Sequence, residues 1–394
     1  MQAKAVIVQN TDWALALDDA LAQTSPSVAE RDGVDLALVF ASPAYRPHFA
    51  TILERVREAT GAPLVAGCSG EGVIGPAREI EGEPALSMLV LSLPGARLRG
   101  VHVSQTLLDA CREPGDWYDA TGVQVEDVNA WLLFVDPFHI DAEDLVQTLS
   151  RAYPGKPLVG GLASGGPTAR RTHVFLNDRA HDEGAVLVAL GGEYTVHAVV
   201  SQGAEPVGEA WTITGAEGHL VLTIGMRPAL DVLVETLRGL PPDLRSRAQR
   251  NLLVGLAMDE YREQFRRGDF LIRNLIGADP RTGALAVAAH PRVGQTIQFQ
   301  IRDAQAADDD LRQLLARARE RLGPRQPVAA LLCSCNGRGV DLFGAPDHDA
   351  AAVAQHLGVQ NVAGFFCNGE IGPVGAQSFL HGYTASIALI VRRT

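Results

Sequence analysis

Lysine is nearly missing. Lys4 and Lys156 are the only two among the 34 basic residues of this 394-residue chain, so its positive charge is almost all arginine. A Schiff base would have two candidate amines, and neither lies in a motif that activates one, which argues against pyridoxal chemistry. Five cysteines are too few for a disulfide scaffold and fit a reducing compartment. No apolar run approaches the ~18 residues of a spanning helix, and the segment after Met1 lacks an apolar signal core, so a cytoplasmic protein without membrane insertion is expected. Catalytic signatures are missing too. The chain has no G-x-x-x-x-G-K-[ST] or G-x-G-x-x-G opening a helix, no H-E-x-x-H, no C-x-x-C-H, and no G-x-S-x-G before a helix. Nucleotide binding, zinc proteolysis, covalent haem and serine hydrolysis therefore lose their usual signals.

Charge is unevenly spread. The net charge is −12, with 29 acids and 14 bases in residues 1–222 against 17 and 20 in 223–394. An acidic chain is a poor nucleic-acid binder without a concentrated basic patch. The arginines between Arg238 and Arg273 are interleaved with acids, which reads as a solvated helical face, so nucleic acid is not an expected partner.

Glycine is what the chain has in surplus, 40 residues with 22 prolines beside them. Much of it belongs to a repeat. One order of events recurs three times: an apolar strand, an amphipathic helix, a second apolar strand, a glycine turn and a closing strand. The first copy runs Leu36–Phe40, helix 46–60, Pro63–Gly67, turn Cys68–Pro76 and Ser87–Leu93. The second runs Trp131–Val135, helix 141–152, Pro157–Gly161, turn Leu162–Gly166 and Ala185–Leu190. The third runs Ala329–Cys333, helix 347–357, Asn361–Phe365, turn Phe366–Gly372 and Ser386–Val391. The first two strands of each copy should be parallel through a right-handed crossover, and the closing strand antiparallel.

Between the second and third copies, strands are expected at 194–201, 211–214, 219–223, 251–257, 270–276, 284–289 and 295–302. Helices are expected at 228–238 and 303–322, the first opened by Pro228 and the second running from acidic to basic along its dipole. The expected fold is α/β, with mixed parallel and antiparallel sheets flanked by helices. Two domains are expected, 1–223 and 224–394.

Cys335-Asn-Gly-Arg-Gly339, Gly364-Phe-Phe-Cys-Asn-Gly-Glu-Ile-Gly372 and His381-Gly-Tyr-Thr384 resemble the C-terminal half of FIST proteins. Phe270–Gly277, Gly283–Leu285 and Gly294–Thr296 are similar to the middle of that half. Ala66–Glu71, Gly160–Ser164, Ser201–Gly203 and Pro206–Gly208 are similar to its N-terminal partner. The resemblance covers about residues 34–391. Ala204 departs from it where cysteine is common, and His219 where asparagine is usual. It implies a bacterial sensory module that binds a small ligand such as an amino acid and reports to a separate signalling protein. Some free-standing members are linked to haem and nitric-oxide sensing through a histidine kinase, and this chain resembles the free-standing type.

Asn336-Gly-Arg-Gly339 gives the leading site candidate, because a planar, permanently charged Arg338 between two glycines suits a ligand carboxylate or phosphate. The other reading is an arginine pairing with an acid across the turn. Asn368 and Glu370 lie in the third glycine turn, Ser69 and Glu71 in the first. Either carboxylate has two readings, receiving a ligand ammonium or bracing its turn. Cys333, Cys335 and Cys367 read as core residues or, in the enzyme reading, Cys335 or Cys367 is the nucleophile; their spacing matches no ordinary zinc motif, and no metal is expected. For a non-covalent haem, the axial candidates are His139 and His381.

Overall fold

The apolar runs that open each copy are strands buried on both faces in the computed structural model, as parallel pairs covered by helices require. The structure describes residues 3–28, 33–165, 170–260, 262, 264–265 and 267–393. Gly166 of the second turn and Arg266 of the arginine-rich stretch lie outside them.

The first copy comprises β1 (Ala3–Gln9), α1 (Trp13–Val28), β2 (Leu36–Ala41), α2 (Phe49–Thr60), β3 (Leu64–Ser69), the hairpin β4 (Gly72–Gly75) and β5 (Arg78–Glu81), and β6 (Ala85–Leu91). The helix expected over 46–60 begins as a 3-10 turn, Pro43–His48, because Pro47 has no N–H for an α-helical bond. The second copy comprises β7 (Ala96–Val103), α3 (Gln105–Ala110), α4 (Pro114–Thr121), β8 (Ala130–Val135), α5 (Ala142–Ala152), β9 (Leu158–Leu162), the hairpin β10 (Val174–Leu176) and β11 (Arg179–His181), and β12 (Ala185–Gly192). β13 (Tyr194–Ser201) leads toward the third.

The intervening segment holds β14 (Ala204–Glu217), β15 (Leu220–Ile224), β16 (Arg227–Pro228), α6 (Ala229–Gly239), α7 (Pro242–Asn251), β17 (Leu252–Ala257), β18 (Phe270–Asp279), β19 (Ala284–Val287), β20 (Thr296–Arg302) and α8 (Ala304–Leu322). The third copy then comprises β21 (Ala329–Cys335), α9 (Gly339–Phe343), α10 (His348–Leu357), β22 (Val362–Cys367), the hairpin β23 (Glu370–Val374) and β24 (Gln377–His381), and β25 (Ala385–Arg392).

Each copy pairs its first two strands in parallel and its closing strand antiparallel to the first, as the repeat predicts. The hairpins do something the repeat does not reveal. Three six-stranded sheets form, ordered β1-β6-β2-β3-β10-β11, β7-β12-β8-β9-β23-β24 and β13-β25-β21-β22-β4-β5. Every sheet therefore ends in the hairpin of a different copy: the second lends its hairpin to the first, the third to the second, and the first to the third.

Gly67, Gly160 and Gly364 hold one place in the three copies, and a Cβ there would lie 1.9, 1.9 and 1.7 Å from the carbonyl oxygens of Val39, Leu133 and Leu332. The glycine of each second strand is thus set by the close passage of the first strand. A shared core lies where the three sheets face one another. In it, the rings of Phe40, Phe134 and Phe365 form a triangle with centroids 5.6, 5.1 and 6.2 Å apart, each pair in favourable aromatic geometry.

The chain packs as two compact bodies, Met1–Val200 with Arg312–Thr394, and Ser201–Leu311. The expected boundary at 223/224 falls inside the second body. The physical reason is the hairpin exchange, which binds the third copy into the same sheets as the first two. In the second body the sheet runs β14-β20-β17-β18-β19-β15-β16, and a further pairing of β14 with β15 closes it on itself. Its arginines serve structure: Arg245 donates to the carbonyls of Leu237, Arg238 and Leu240 at the end of α6, and Arg247 bridges Glu205 and Asp303. No helix among the described residues is long and apolar enough to cross a membrane.

Candidate functional site

Parallel strand pairs end together, and ligands of open α/β sheets collect at that carboxyl end. Counting from the three crowded glycines, Glu71, Ser164 and Asn368 hold corresponding places just beyond those ends. Their backbones are stitched into a ring. Asn368 N–H donates to the Leu162 carbonyl at 3.0 Å, and Ser164 N–H to the Ser69 carbonyl at 3.1 Å. Glu71 N–H donates to Ser164 Oγ at 2.7 Å, and that hydroxyl donates to the Phe366 carbonyl at 2.6 Å. Ser164 is fully buried, and no spacing in the sequence singles it out.

Arg338 is not available to a ligand. It is 0% exposed and forms a two-pronged pair with Asp349, Nε to Oδ2 at 2.6 Å and Nη2 to Oδ1 at 2.9 Å. Ser334 Oγ and His348 Nδ1 reach the same carboxylate at 2.7 and 2.9 Å, and the Phe343 ring lies beneath the guanidinium. Burial pushes the Asp349 carboxyl up, but the Arg338 charge and these hydrogen bonds outweigh it and hold the group well below the usual carboxylate range. The structural reading of Arg338 is the one the geometry bears out. Gly339 follows at φ +65°, where a Cβ would strike the Glu81 carboxylate at 2.3 Å. Glu81 Oε1 accepts from Val340 N–H at 3.0 Å, and Glu79 Oε1 from Ala350 N–H at 2.9 Å. The first copy's hairpin thus plugs the α9–α10 segment of the third with two carboxyl side chains. Burial first, and then Asp349, push the Glu79 carboxyl up to about 8.

Glu370 is likewise buried, its Oε2 accepting from Thr384 N–H at 3.0 Å and Thr384 Oγ1 at 2.8 Å. It braces its turn. The register of the exchanged hairpins places it opposite Gly161, where the first and second copies present Val73 and Val174 opposite Phe365 and Cys68. Glu370 and Glu71 therefore share a turn type but not a position.

Three candidates line the open rim. Asn336 Nδ2 donates to Asn368 Oδ1 at 2.8 Å, and Asn368 Nδ2 to the Ala163 carbonyl at 3.1 Å. Glu71 stands half-buried at a cavity of about 270 Å³, with Ser42, Pro43, Ala44, Glu83 and Pro84 as its other main walls. Ser69 lies beneath, buried, donating through Oγ to the Ser164 carbonyl at 2.9 Å and accepting His173 N–H at 3.0 Å.

The two histidine candidates separate. His381 is buried, with Nε2 on the Gly372 carbonyl at 3.0 Å, so that nitrogen is committed to the protein. The His139 side chain is 51% exposed, with Nδ1 2.8 Å from the wholly buried Asp136 carboxylate. That bond fixes the ring and leaves Nε2 as the outward nitrogen. Cys68, Cys333 and Cys367 join the shared core, and burial pushes the thiols of Cys68 and Cys367 far up. No group of three or more His, Cys, Asp or Glu residues that could hold a metal ion occurs among the described residues.

The FIST N domain model matches residues 35–227, and the FIST C domain model residues 229–373. This chain belongs to the FIST family. FIST domains are sensory domains associated with signalling. An uncharacterized protein of Mycobacterium tuberculosis is 39% identical over 356 residues, covering 90% of this chain and 91% of its own length. One of Mycobacterium bovis is 38% identical over 375 residues, covering 95% and 92%. Among solved structures, the cyanuric acid hydrolase of A. caulinodans aligns over 100% of this chain and 99% of that one, at 11% identity and a TM-score of 0.38, a distance at which no chemistry transfers.

Proposed function

We propose that this FIST protein is a non-enzymatic sensor that holds an amino acid or similar small metabolite at the rim beside Glu71 and reports to a separate signalling protein. The supporting observation is the cavity at Glu71, walled by first-copy residues just beyond the carboxyl ends of β2 and β3. A half-buried carboxylate beside proline and alanine walls suits an ammonium carried on a small apolar body. Because Glu71 N–H is joined through Ser164 Oγ to Phe366, a ligand that moves this turn acts on backbone from all three copies. Cys367 as a nucleophile is disfavoured by complete burial and a raised thiol pKa. A thermal-melt screen of amino acids tests the reading, since a ligand at 100 times its Kd stabilises by about 2.7 kcal/mol. Glu71→Gln should abolish that response while leaving the unliganded melt in place. A complete screen without a shift would rule the reading out.

One observation favours a second reading, a haem-based nitric-oxide sensor acting on a histidine kinase. The Asp136–His139 pair is built as iron-ligating imidazoles are, with the far nitrogen oriented by a buried carboxylate. His139 would hold the haem iron, which supplies the nitric-oxide-binding centre when bound. A Soret band on haem addition, lost in His139→Ala, would support it; no band, or a band that survives the substitution, would remove His139 from it.

A further inference from the structure

At the same strand ends, two nitrogens are buried and have no hydrogen-bond partner among the described residues, Arg46 Nε and His173 Nδ1. Three contacts bring them to one place. Arg46 Nη2 donates to the Arg171 carbonyl at 3.2 Å, His173 N–H donates to Ser69 Oγ at 3.0 Å, and Phe49, one turn beyond Arg46, meets the His173 ring edge-on at 5.2 Å. A buried polar nitrogen without a partner is costly, and native proteins hold few of them. The nearby carboxylates do not supply the acceptor. Asp136 is engaged by Thr172 and His139, and Asp182 is exposed beyond the end of β11.

We infer that Arg46 and His173 bind a carboxylate, the acidic end of the ligand whose ammonium Glu71 receives, an identification of the ligand that rests on the reading above. The cationic, planar guanidinium is the group best matched to a carboxylate acceptor. The 3-10 turn Pro43–His48 supplies both Arg46 and the Pro43–Ala44 wall of the Glu71 cavity, and β3 leads through Ser69 into Glu71 itself. The same two segments thus carry one group for each charge of a small zwitterion, Arg46 and Glu71. His173 also departs from the repeat: counted from the hairpin register, the first and third copies have Gly72 and Gly369 in its place. Burial, and then the Arg46 charge, hold His173 below the ordinary histidine range, with Arg171 acting in the same sense and Asp182 and Asp136 against it. A carboxylate seated here offsets the Arg46 charge and draws a proton onto the imidazole, so binding tightens as pH falls toward the unliganded His173 value.

The test uses the full chain with three probes: acetate, methylammonium and glycine. His173 is titrated by NMR with and without each, and melting is followed in parallel. Acetate and glycine should raise the His173 pKa and the melting temperature, and Arg46→Gln should weaken acetate binding by about tenfold or more. If Arg46→Gln fails to fold, the wild-type titration and His173→Gln, which should remove the pH dependence of acetate binding, decide the matter. Acetate that leaves both His173 and the melt unmoved overturns the proposal and assigns the two nitrogens to water. A response to acetate without one to methylammonium keeps the carboxylate site and discards the Glu71 reading. The reverse response keeps Glu71 and discards this site.

Discussion

Tyr45, His139 and Arg338 hold corresponding places in the three copies, each six residues past the strand residue that crowds the repeat's glycine. Tyr45 is buried and donates its hydroxyl to the Asn10 carbonyl; His139 leans out from a buried Asp136; Arg338 is sealed onto Asp349. The hairpin position shows the same split, Val73 and Val174 against Glu370. One backbone frame thus carries three chemistries. The third copy uses its charge to hold itself and the first copy's hairpin together, while the rim of the first copy keeps charge facing outward at Glu71. Keeping the frame and distributing the charge unequally gives each copy of a repeat a different surface.

The likeness of the three copies is tested most harshly at what they share. Gly67→Ala, Gly160→Ala and Gly364→Ala should each cost more than about 3 kcal/mol in denaturant unfolding, because the neighbour is backbone and cannot step aside. A mild effect at one of them would show that its copy is not held as the others are. Arg338→Ala comes next. It should cost about 3–5 kcal/mol by leaving Asp349 buried and unpaired, whereas His139→Ala should stay within about 0.5 kcal/mol.

Glu370→Val gives the third copy the residue type of the other two. It should still destabilise by about 1–3 kcal/mol, since the buried Thr384 N–H and hydroxyl lose their acceptor. The last test is one of pH, at Glu79, whose folded pKa of about 8 lies above its ordinary value near 4.5. Folding favours the protonated acid, so its contribution is full below about 4.5 and is lost as pH rises through 8. Wild-type stability should therefore fall between about pH 5 and 9, and Glu79→Gln should flatten that fall. An unchanged pH profile in the Glu79→Gln variant would remove Glu79 as its source.

The parallel pairs, closing strands and glycine turns were legible because burial on both faces leaves continuous apolar runs and tight turns leave glycine. Most strands between the copies were legible from short apolar stretches, but β14 runs over Ala204–Glu217 where only 211–214 was expected, because much of it is exposed and leaves no apolar run. The hairpin exchange was not, because it joins Val73 to Phe365 through backbone hydrogen bonds that any residues can make. The same gap hid the fate of Arg338. Its partner Asp349 begins an expected helix, and nothing in the spacing distinguishes a carboxylate that turns inward from one in solvent. Arg46 opens the amphipathic stretch 46–60 and His173 lies between the second turn and its closing strand, where no motif singles either out; only the meeting of two copies shows that Arg46 Nε and His173 Nδ1 have no partner among the described residues.

The exchange also sets a timetable for synthesis. At about 5–20 residues per second, the β4–β5 hairpin leaves the ribosome on the order of 15–60 s before the strand at Phe365 that must receive it. Throughout that interval an apolar hairpin edge waits in a crowded cell without its mate, and such edges are prone to pair with whatever strand comes first. The nascent chain should therefore depend on chaperones more heavily than the finished protein's small, tight turns would suggest.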